Sequence, residues 1–371
     1  MKINRNRPQH KTLKSILQIA GWLLVFVTCA LTIGVKIGLY IAPDKLMAPA
    51  YLGLGFPFVL FFIILLLFLF LLFKAYFKVL IEVLFLLILI PQIYVYYPIH
   101  IHSEAPSKDA IKILSYNVMA FAYGNHTDQK PHPILKYIRE SNADIVCLQE
   151  ALLRNKEDRI TLEKIKAYLP QYPFVNHHAV QKGGSYMIIL SKFPILEVAS
   201  LPLDSRFNGA ISYTLKIKNK LLRLINVHLE SSGITARDGI EYVALAKDGK
   251  ASELAKKVDF KLQKSFKMRA KQVDRLTVEI DKTTTPYLAI VGDFNDTPIS
   301  YARYRLSHNN MQDAFVKTGQ GAGYSYIFKK IGLRIDHILL SEKIKPYQCR
   351  IDNTISASDH YPIETYIELI P

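Results

Sequence analysis

Residues 51–73, YLGLGFPFVLFFIILLLFLFLLF, run for 23 positions without one charged side chain. An α-helix needs roughly 20 apolar residues to cross a hydrocarbon core, so whatever this chain folds into must house a segment suited to lipid. Two further apolar stretches flank it, residues 16–40 and 79–97, each interrupted by a single ionisable residue, Lys36 and Glu82. Both lie toward a segment end, from which a long side chain reaches the interface. A cleaved leader is the alternative for the first stretch, but its apolar part is longer than a leader's and lacks a small-residue cleavage pattern. The expectation is a membrane anchor over residues 1–100 with three transmembrane helices.

Lysine and arginine are retained on the cytoplasmic side of a membrane. Lys2, Arg5, Arg7, Lys11 and Lys14 precede the first stretch, and Lys74 and Lys78 lie between the second and third. Both segments are expected inside, and three crossings then put everything beyond His100 outside, although Lys45 in the first outer loop works against the asymmetry. The chain thus reads as an integral, multi-pass protein with a cytoplasmic N-terminus and an extracytoplasmic domain, periplasmic or extracellular, over residues 101–371.

Beyond residue 100 there are 38 Lys and Arg against 29 Asp and Glu, a net charge of +9. A basic balance suits an anionic partner such as nucleic acid, a phospholipid surface or a phosphorylated metabolite, and is equally an ordinary solvated surface. Three cysteines, Cys29, Cys147 and Cys349, are too few for a disulfide framework. The lone tryptophan, Trp22, sits in the first apolar stretch, which leaves the outer domain none to stack on a base.

From Ala110 onward, short apolar runs alternate with amphipathic stretches and polar turns. IKILSYN (111–117), ADIVCLQ (143–149), SYMIILS, PILEVASL, AISYTLKIK, LLRLINVHL, YLAIVG, LRIDHILLS and YPIETYIEL read as strands. HPILKYIRES reads as a helix started by Pro131 and Pro133, and residues 253–281 as one long helix. Residues 233–250 and 301–330 read as irregular segments that shape a pocket. The fold class is α+β, and a sheet-on-sheet core flanked by helices fits the order of elements.

Several strands end in acceptor side chains: Asn117, Glu150, His228 and Glu230, then Asp293 and Asn295 in VGDFNDTP. Asp336 and His337 interrupt an apolar run, and Asp359 and His360 precede the last strand. Carboxylates and amides suit a hard divalent cation, and the scarcity of cysteine argues for Mg²⁺, with Mn²⁺ as a substitute, over structural zinc. Each residue has a plainer explanation when taken alone. Asn117 could cap a helix, Glu150 could be a first-turn acid, His228 a satisfied core histidine, and GDFNDTP a turn. Asp336 is harder to dismiss, because a buried carboxylate without a partner is costly, and His360 is the natural partner.

SYN, CLQE, SKFPI, NVHL, GDFND, RIDHIL and SDHYPI occur here in an order and spacing that resembles the endonuclease/exonuclease/phosphatase superfamily across residues 110–370. The resemblance implies a four-layer α/β/β/α sandwich of two mixed sheets and hydrolysis of a phosphodiester or phosphomonoester at one rim. It implies metal ligation by Glu150 with Asn117 beside it and Asp359 as a second metal-site acid. Asp293 would orient or deprotonate the attacking water, Asn295 and His228 would contact the phosphate, and His360 would do so with Asp336 orienting it. His337 and Glu230 are expected to be structural, GGSY (183–186) a tight turn, and Asp296 and Thr297 part of the turn. Among substrates a nucleic acid, and so a nuclease, is the leading reading, with a lipid headgroup or inositol phosphate as the alternative. A catalytically inactive membrane module is the reading from another class, and competent residues at every matched position count against it.

Overall fold

Strands buried on both faces read as unbroken apolar runs, which is how the centre of this protein is built. The computed structural model describes all residues except 1–6, 102, 125, 128–129, 154–159, 180–184, 202, 204, 206–207, 235–250, 308–310 and 329–330. The GGSY turn and most of the 233–250 segment therefore lie outside the described residues. Ile111–Asn117 (β1), Ile145–Ala151 (β2), Phe174–Ala179 (β3), Tyr186–Ser191 (β4), Ile344–Ile351 (β13) and Ile363–Leu369 (β14) form one sheet in the order β13-β14-β1-β2-β4-β3. Ile195–Leu201 (β5), Gly209–Ile217 (β6), Lys220–His228 (β7), Tyr287–Asp293 (β8), Gln312–Asp313 (β9) and Asp336–Leu340 (β12) form the other, ordered β5-β6-β7-β8-β12-β9. Both sheets are mixed: β1 runs parallel to β2 and β7 parallel to β8, while the other pairs are antiparallel.

Ile113, Cys147 and Ile189 of the first sheet pack against Tyr213, Leu224, Ala289 and Ile338 of the second, making the central core. The alternate residues Leu114, Tyr116, Val146 and Leu148 face Ile134, Leu135 and Ile138 of the Pro133–Ser141 helix. On the far side, Ile225, Val227, Leu288 and Ile290 face Val273, Leu276 and Ile280 of the Ala251–Asp281 helix. His132 caps the Pro133 helix, its Nδ1 accepting from the Ile134 N–H at 3.2 Å. Cys147 and Cys349 are free and buried in the core. The 301–330 segment is more regular than the sequence suggested: it holds helices at Tyr301–Leu306 and Ala314–Thr318, strand β9, and Tyr326–Phe328 (β10), which pairs with Ile331–Leu333 (β11).

Asp313 joins several of these elements. It is buried, its Oδ2 lies 3.0 Å from Arg303 Nε and Nη2, and its Oδ1 accepts from the Phe315 and Val316 N–H groups. Burial alone would raise its pKa, but Arg303 and then His337 outweigh it and hold the carboxyl well below the usual carboxylate range. A depressed folded-state pKa stabilises above the unfolded value, and that contribution is lost as pH falls through the folded one. Asp313→Ala is accordingly expected to cost about 3–5 kcal/mol at pH 7, since it strands the buried Arg303 guanidinium, and less at pH 3. Denaturant melts at the two pH values check this; an equal loss at both contradicts it.

Before residue 100, helices Arg7–Ile37 (α1), Ala48–Leu54 (α2), Phe56–Leu72 (α3) and Tyr76–Tyr96 (α4) form an apolar bundle. Two of them, Lys14–Ile37 within α1 and α4 itself, are long and apolar enough to cross a membrane, or three if α2 and α3 count as one bent span. The 51–73 stretch is not one straight helix, because α2 meets α3 at 81°. Gly55 stands at the break, and Pro57 in the first turn of α3 has no N–H with which to continue α2. Glu82 does not reach for an interface either. It is fully buried and accepts from Thr28 Oγ1 at 3.0 Å, as burial of a carboxyl in an apolar bundle demands a partner.

Candidate active site

Parallel neighbours end at the same edge of a sheet. The central pair of each sheet therefore delivers two strand-end side chains to one rim, Asn117 and Glu150 from β1 and β2, His228 and Asp293 from β7 and β8. The antiparallel β12 begins at that rim, which pairs Asp336 with Asp293, and the residues before β14 bring His360 alongside. Two non-glycine residues at or just beyond these strand ends carry positive φ, Glu150 (53°) and Asn295 (51°), a conformation that the surrounding structure must impose.

Asp293 is the centre. It is buried, and its Oδ2 accepts from Asn117 Nδ2 at 3.0 Å and Asn295 Nδ2 at 3.2 Å, with His228 Nε2 and His360 Nε2 each 3.7 Å away. Its Oδ1 accepts from the Asn295 N–H at 2.7 Å. Burial, opposed by the two histidines, leaves its pKa raised to about 6. The same Asn117 Nδ2 donates to Glu150 Oε1 at 3.0 Å, and Asn117 Oδ1 accepts from the Met119 N–H. Asn117 thus holds two carboxylates together through its nitrogen.

Glu150 is partly exposed and lies 3.3 Å from His228 Nε2. Burial works to raise its pKa, but His228 and Asn117 bring it down to about 2. Burial likewise pulls down the pKa of His228, and Glu150 reverses that to leave it raised. His360 Nδ1 is 2.9 Å from Asp336 Oδ2. Burial opposes its charge, yet Asp336 and Asp293 raise its pKa to about 10, so it is an imidazolium at neutral pH. The Asn295 amide is turned toward the Leu229 carbonyl, 2.9 Å away.

Seven of the eight residues singled out from the sequence meet in this cluster. Asp359 lies at the edge of the cluster: its side chain is exposed and accepts from Ser358 Oγ at 3.3 Å, and it is near enough for the charges of His360 and Glu150 to act on it. His337 points elsewhere, its ring nitrogens 3.0 Å from the Asp296 carbonyl and 3.6 Å from Asp313. Glu230 accepts from Ser205 Oγ rather than supporting His228. Asp296 is more than a turn residue, because it pairs with the buried Arg269 at 3.0 Å.

Residues that the sequence did not single out complete the frame. Gln149 Nε2 donates to Asn226 Oδ1 at 2.7 Å and Asn226 Nδ2 to the Leu148 carbonyl, a buried polar tie between the two sheets just behind the cluster. Both lie in the quoted motifs CLQE and NVHL, so a signal existed. Asn208 Nδ2 is 3.2 Å from His228 Nε2 and donates to the Leu229 carbonyl. Ser325 Oγ accepts from the Ile335 and Asp336 N–H groups, and Tyr326 places its ring 4.9 Å from that of His360. Nothing local in the sequence marks these three.

Among the described residues, two groups of side chains have ligand atoms close enough to share one cation, Glu150 with His228 and Asp293, and Asp293 with Asp336 and His360. Carboxylate oxygens and imidazoles without thiolate fit a hard divalent ion. Three carboxylates against two imidazoles in one cleft also leave negative charge for a cation to balance.

The family model described as the Endonuclease/Exonuclease/phosphatase family matches residues 114–360. An exodeoxyribonuclease of Bacillus subtilis (strain 168) is 21% identical over 274 residues, spanning 70% of this chain and 100% of that relative. Among solved structures, an endonuclease/exonuclease/phosphatase from Bacteroides vulgatus matches with a TM-score of 0.50 at 18% identity, over 70% of this chain and 99% of that one. The human Nocturnin catalytic domain with bound sulfate gives 0.49 at 17% identity, over 70% and 93%.

Proposed function

The chain belongs to the endonuclease/exonuclease/phosphatase family and is a phosphoric ester hydrolase, and from that premise we propose that it cleaves phosphodiesters outside the cytoplasm while anchored in a membrane. The observation that carries the reading is the convergence of Asn117, His228, Asn295 and His360 on Asp293 at the sheet rim.

A phosphodiester resists attack because its oxygens are negative, so a site must neutralise them and supply an activated water. Glu150, with Asp359 at the rim and Asn117 beside them, would hold the divalent ion, taken as Mg²⁺ or Mn²⁺. When bound, such an ion neutralises phosphate charge and orients the substrate. Asp293, whose pKa of about 6 keeps it mostly ionised yet basic at neutral pH, takes the proton of the attacking water. His360 presents its Nε2–H to a phosphate oxygen, held in that role by Asp336 on Nδ1. His228 and Asn295 are assigned the other contacts to the phosphate. Water oxygen forms the new bond to phosphorus as the bond to the leaving oxygen breaks.

The anchor is read as residues 1–100, with α1, the bent α2–α3 pair and α4 as three spans, and the hydrolase as residues 101–371, a four-layer α/β/β/α sandwich. Lys78, at the start of α4, donates to the Gln18 carbonyl of α1, at the opposite end of α4 from Tyr96. That supports a cytoplasmic N-terminus. In right-side-out membrane vesicles carrying the full chain, hydrolysis of a membrane-impermeant phosphodiester is expected without permeabilisation. An impermeant chelator should abolish it and Mg²⁺ or Mn²⁺ restore it. Activity that appears only after permeabilisation refutes the orientation, and activity untouched by the chelator refutes the metal.

A further inference from the structure

The catalytic cluster opens into a cavity of about 620 Å³ that the anchor helps to enclose. Glu150, Asp293 and His360 line one part of it, while Leu54, Pro57 and Phe58 from α2 and α3 line another, with Leu262 and Phe266 of the long helix between. The charged pair in the remaining wall, Arg269 and Asp296, is mutually neutralised. The active-site loop rests directly on the anchor. Thr297 Oγ1 donates to the Gly53 carbonyl at 3.2 Å, and a Cβ on Gly53 would meet the Ile299 carbonyl oxygen at 2.0 Å. Tyr51 of α2 stacks edge-on against Phe266, ring centroids 5.6 Å apart, and its hydroxyl donates to Asp259.

The level of this wall follows from the helices. The first turn of α3 meets the last turn of α4 through Phe56 and Tyr96, centroids 5.6 Å apart and both buried. Pro57 and Phe58 therefore sit where a span enters the hydrocarbon, and Phe58 is 69% exposed there. The 81° bend lays α2 across the end of the bundle, along an interface. Polar chemistry at one part of the cavity and, at another, the exposed Phe58 beside half-buried Leu54 and Pro57 match a molecule with a phosphate and a hydrocarbon chain.

We propose that the substrate is a membrane amphiphile, a phosphate ester whose chain lies against Leu54, Pro57, Phe58 and Phe266 while its phosphate reaches Asp293 and His360. It enters sideways from the outer leaflet. The inference rests on the hydrolase and three-span readings above and names the substrate class for that site.

Two synthetic diesters with the same leaving group, methyl and hexadecyl 4-nitrophenyl phosphate, separate the possibilities when given to the full chain in lipid nanodiscs with Mg²⁺. The hexadecyl ester is expected to show a kcat/KM at least about tenfold higher, because its chain holds it in the leaflet beside the cavity and against Leu54, Pro57 and Phe58. Phe58→Ser, which removes an exposed side chain and no core packing, should cut that ratio severalfold; an unchanged ratio counts against the proposed wall. Equal kcat/KM for the two esters overturns the inference while leaving the hydrolase reading standing. Faster turnover of a single-stranded oligodeoxynucleotide than of the hexadecyl ester overturns it in favour of nucleic acid, and no turnover of any substrate overturns both readings.

Discussion

His360→Ala is expected to lower kcat/KM for phosphodiester hydrolysis by about 10³-fold, the scale of losing one preorganised donor to the transition-state charge. The imidazolium is kept charged by Asp336 at 2.9 Å and Asp293 at 3.7 Å, so the site holds a positive donor ready before substrate arrives. Asp293→Ala removes the proposed base and should cost a similar factor. The two effects will not add, because each group sets the charge of the other. Removing His360 leaves the Asp336 carboxylate buried without its partner, which is costly. Asp336→Asn/His360→Ala should therefore be no less stable than His360→Ala alone. Hydrolysis rates together with circular-dichroism melts check both points. A folded His360→Ala or Asp293→Ala protein that turns over like the wild type would sink the assignment.

Gly292→Ala is expected to destabilise the hydrolase by more than about 4 kcal/mol, combining backbone strain with overpacking. Gly292 has φ 138°, a region closed to residues with a side chain, and a Cβ there would lie 2.0 Å from the Val227 carbonyl oxygen of the neighbouring strand. The clash is with backbone and cannot be relieved by turning a side chain. Because Val227 pairs with Gly292 one residue before His228 pairs with Asp293, any separation of the strands also opens the site. Loss of folded protein on expression, or a greatly lowered Tm, is the expected result. A Gly292→Ala domain as stable as the parent would mean that this strand contact is not as close as described.

Most strands legible in the sequence are buried on both faces, where an apolar run leaves no other solution; β5, an edge strand exposed along most of its length, is the exception. Besides the short β9, β10 and β11, the strands missed are β3 and β13, both edge strands. β13 carries Pro346 in its interior, which argues against a central strand, but at an edge the missing N–H leaves no ladder bond unmade. Half-buried β3, with His177 and His178, lacks the unbroken apolar run that a doubly buried strand shows. The bend at Gly55 was equally hidden, since an apolar run has the same composition whether or not it turns.

By itself the sequence determined that a lipid-suited segment precedes an α+β domain, that polar acceptors cluster at strand ends, and that Asp336 needs a partner. These are local facts, because burial cost and strand periodicity act on a residue through its immediate neighbours in the chain. Only the tertiary structure decided that Asn117 joins Glu150 to Asp293 through its nitrogen and that Gln149 and Asn226 tie the sheets behind them. It alone showed that α2 and α3 wall the cavity beside the cluster. Such contacts join residues far apart in the chain, and which of them meet is set by strand register and packing rather than by any property of the segments taken singly.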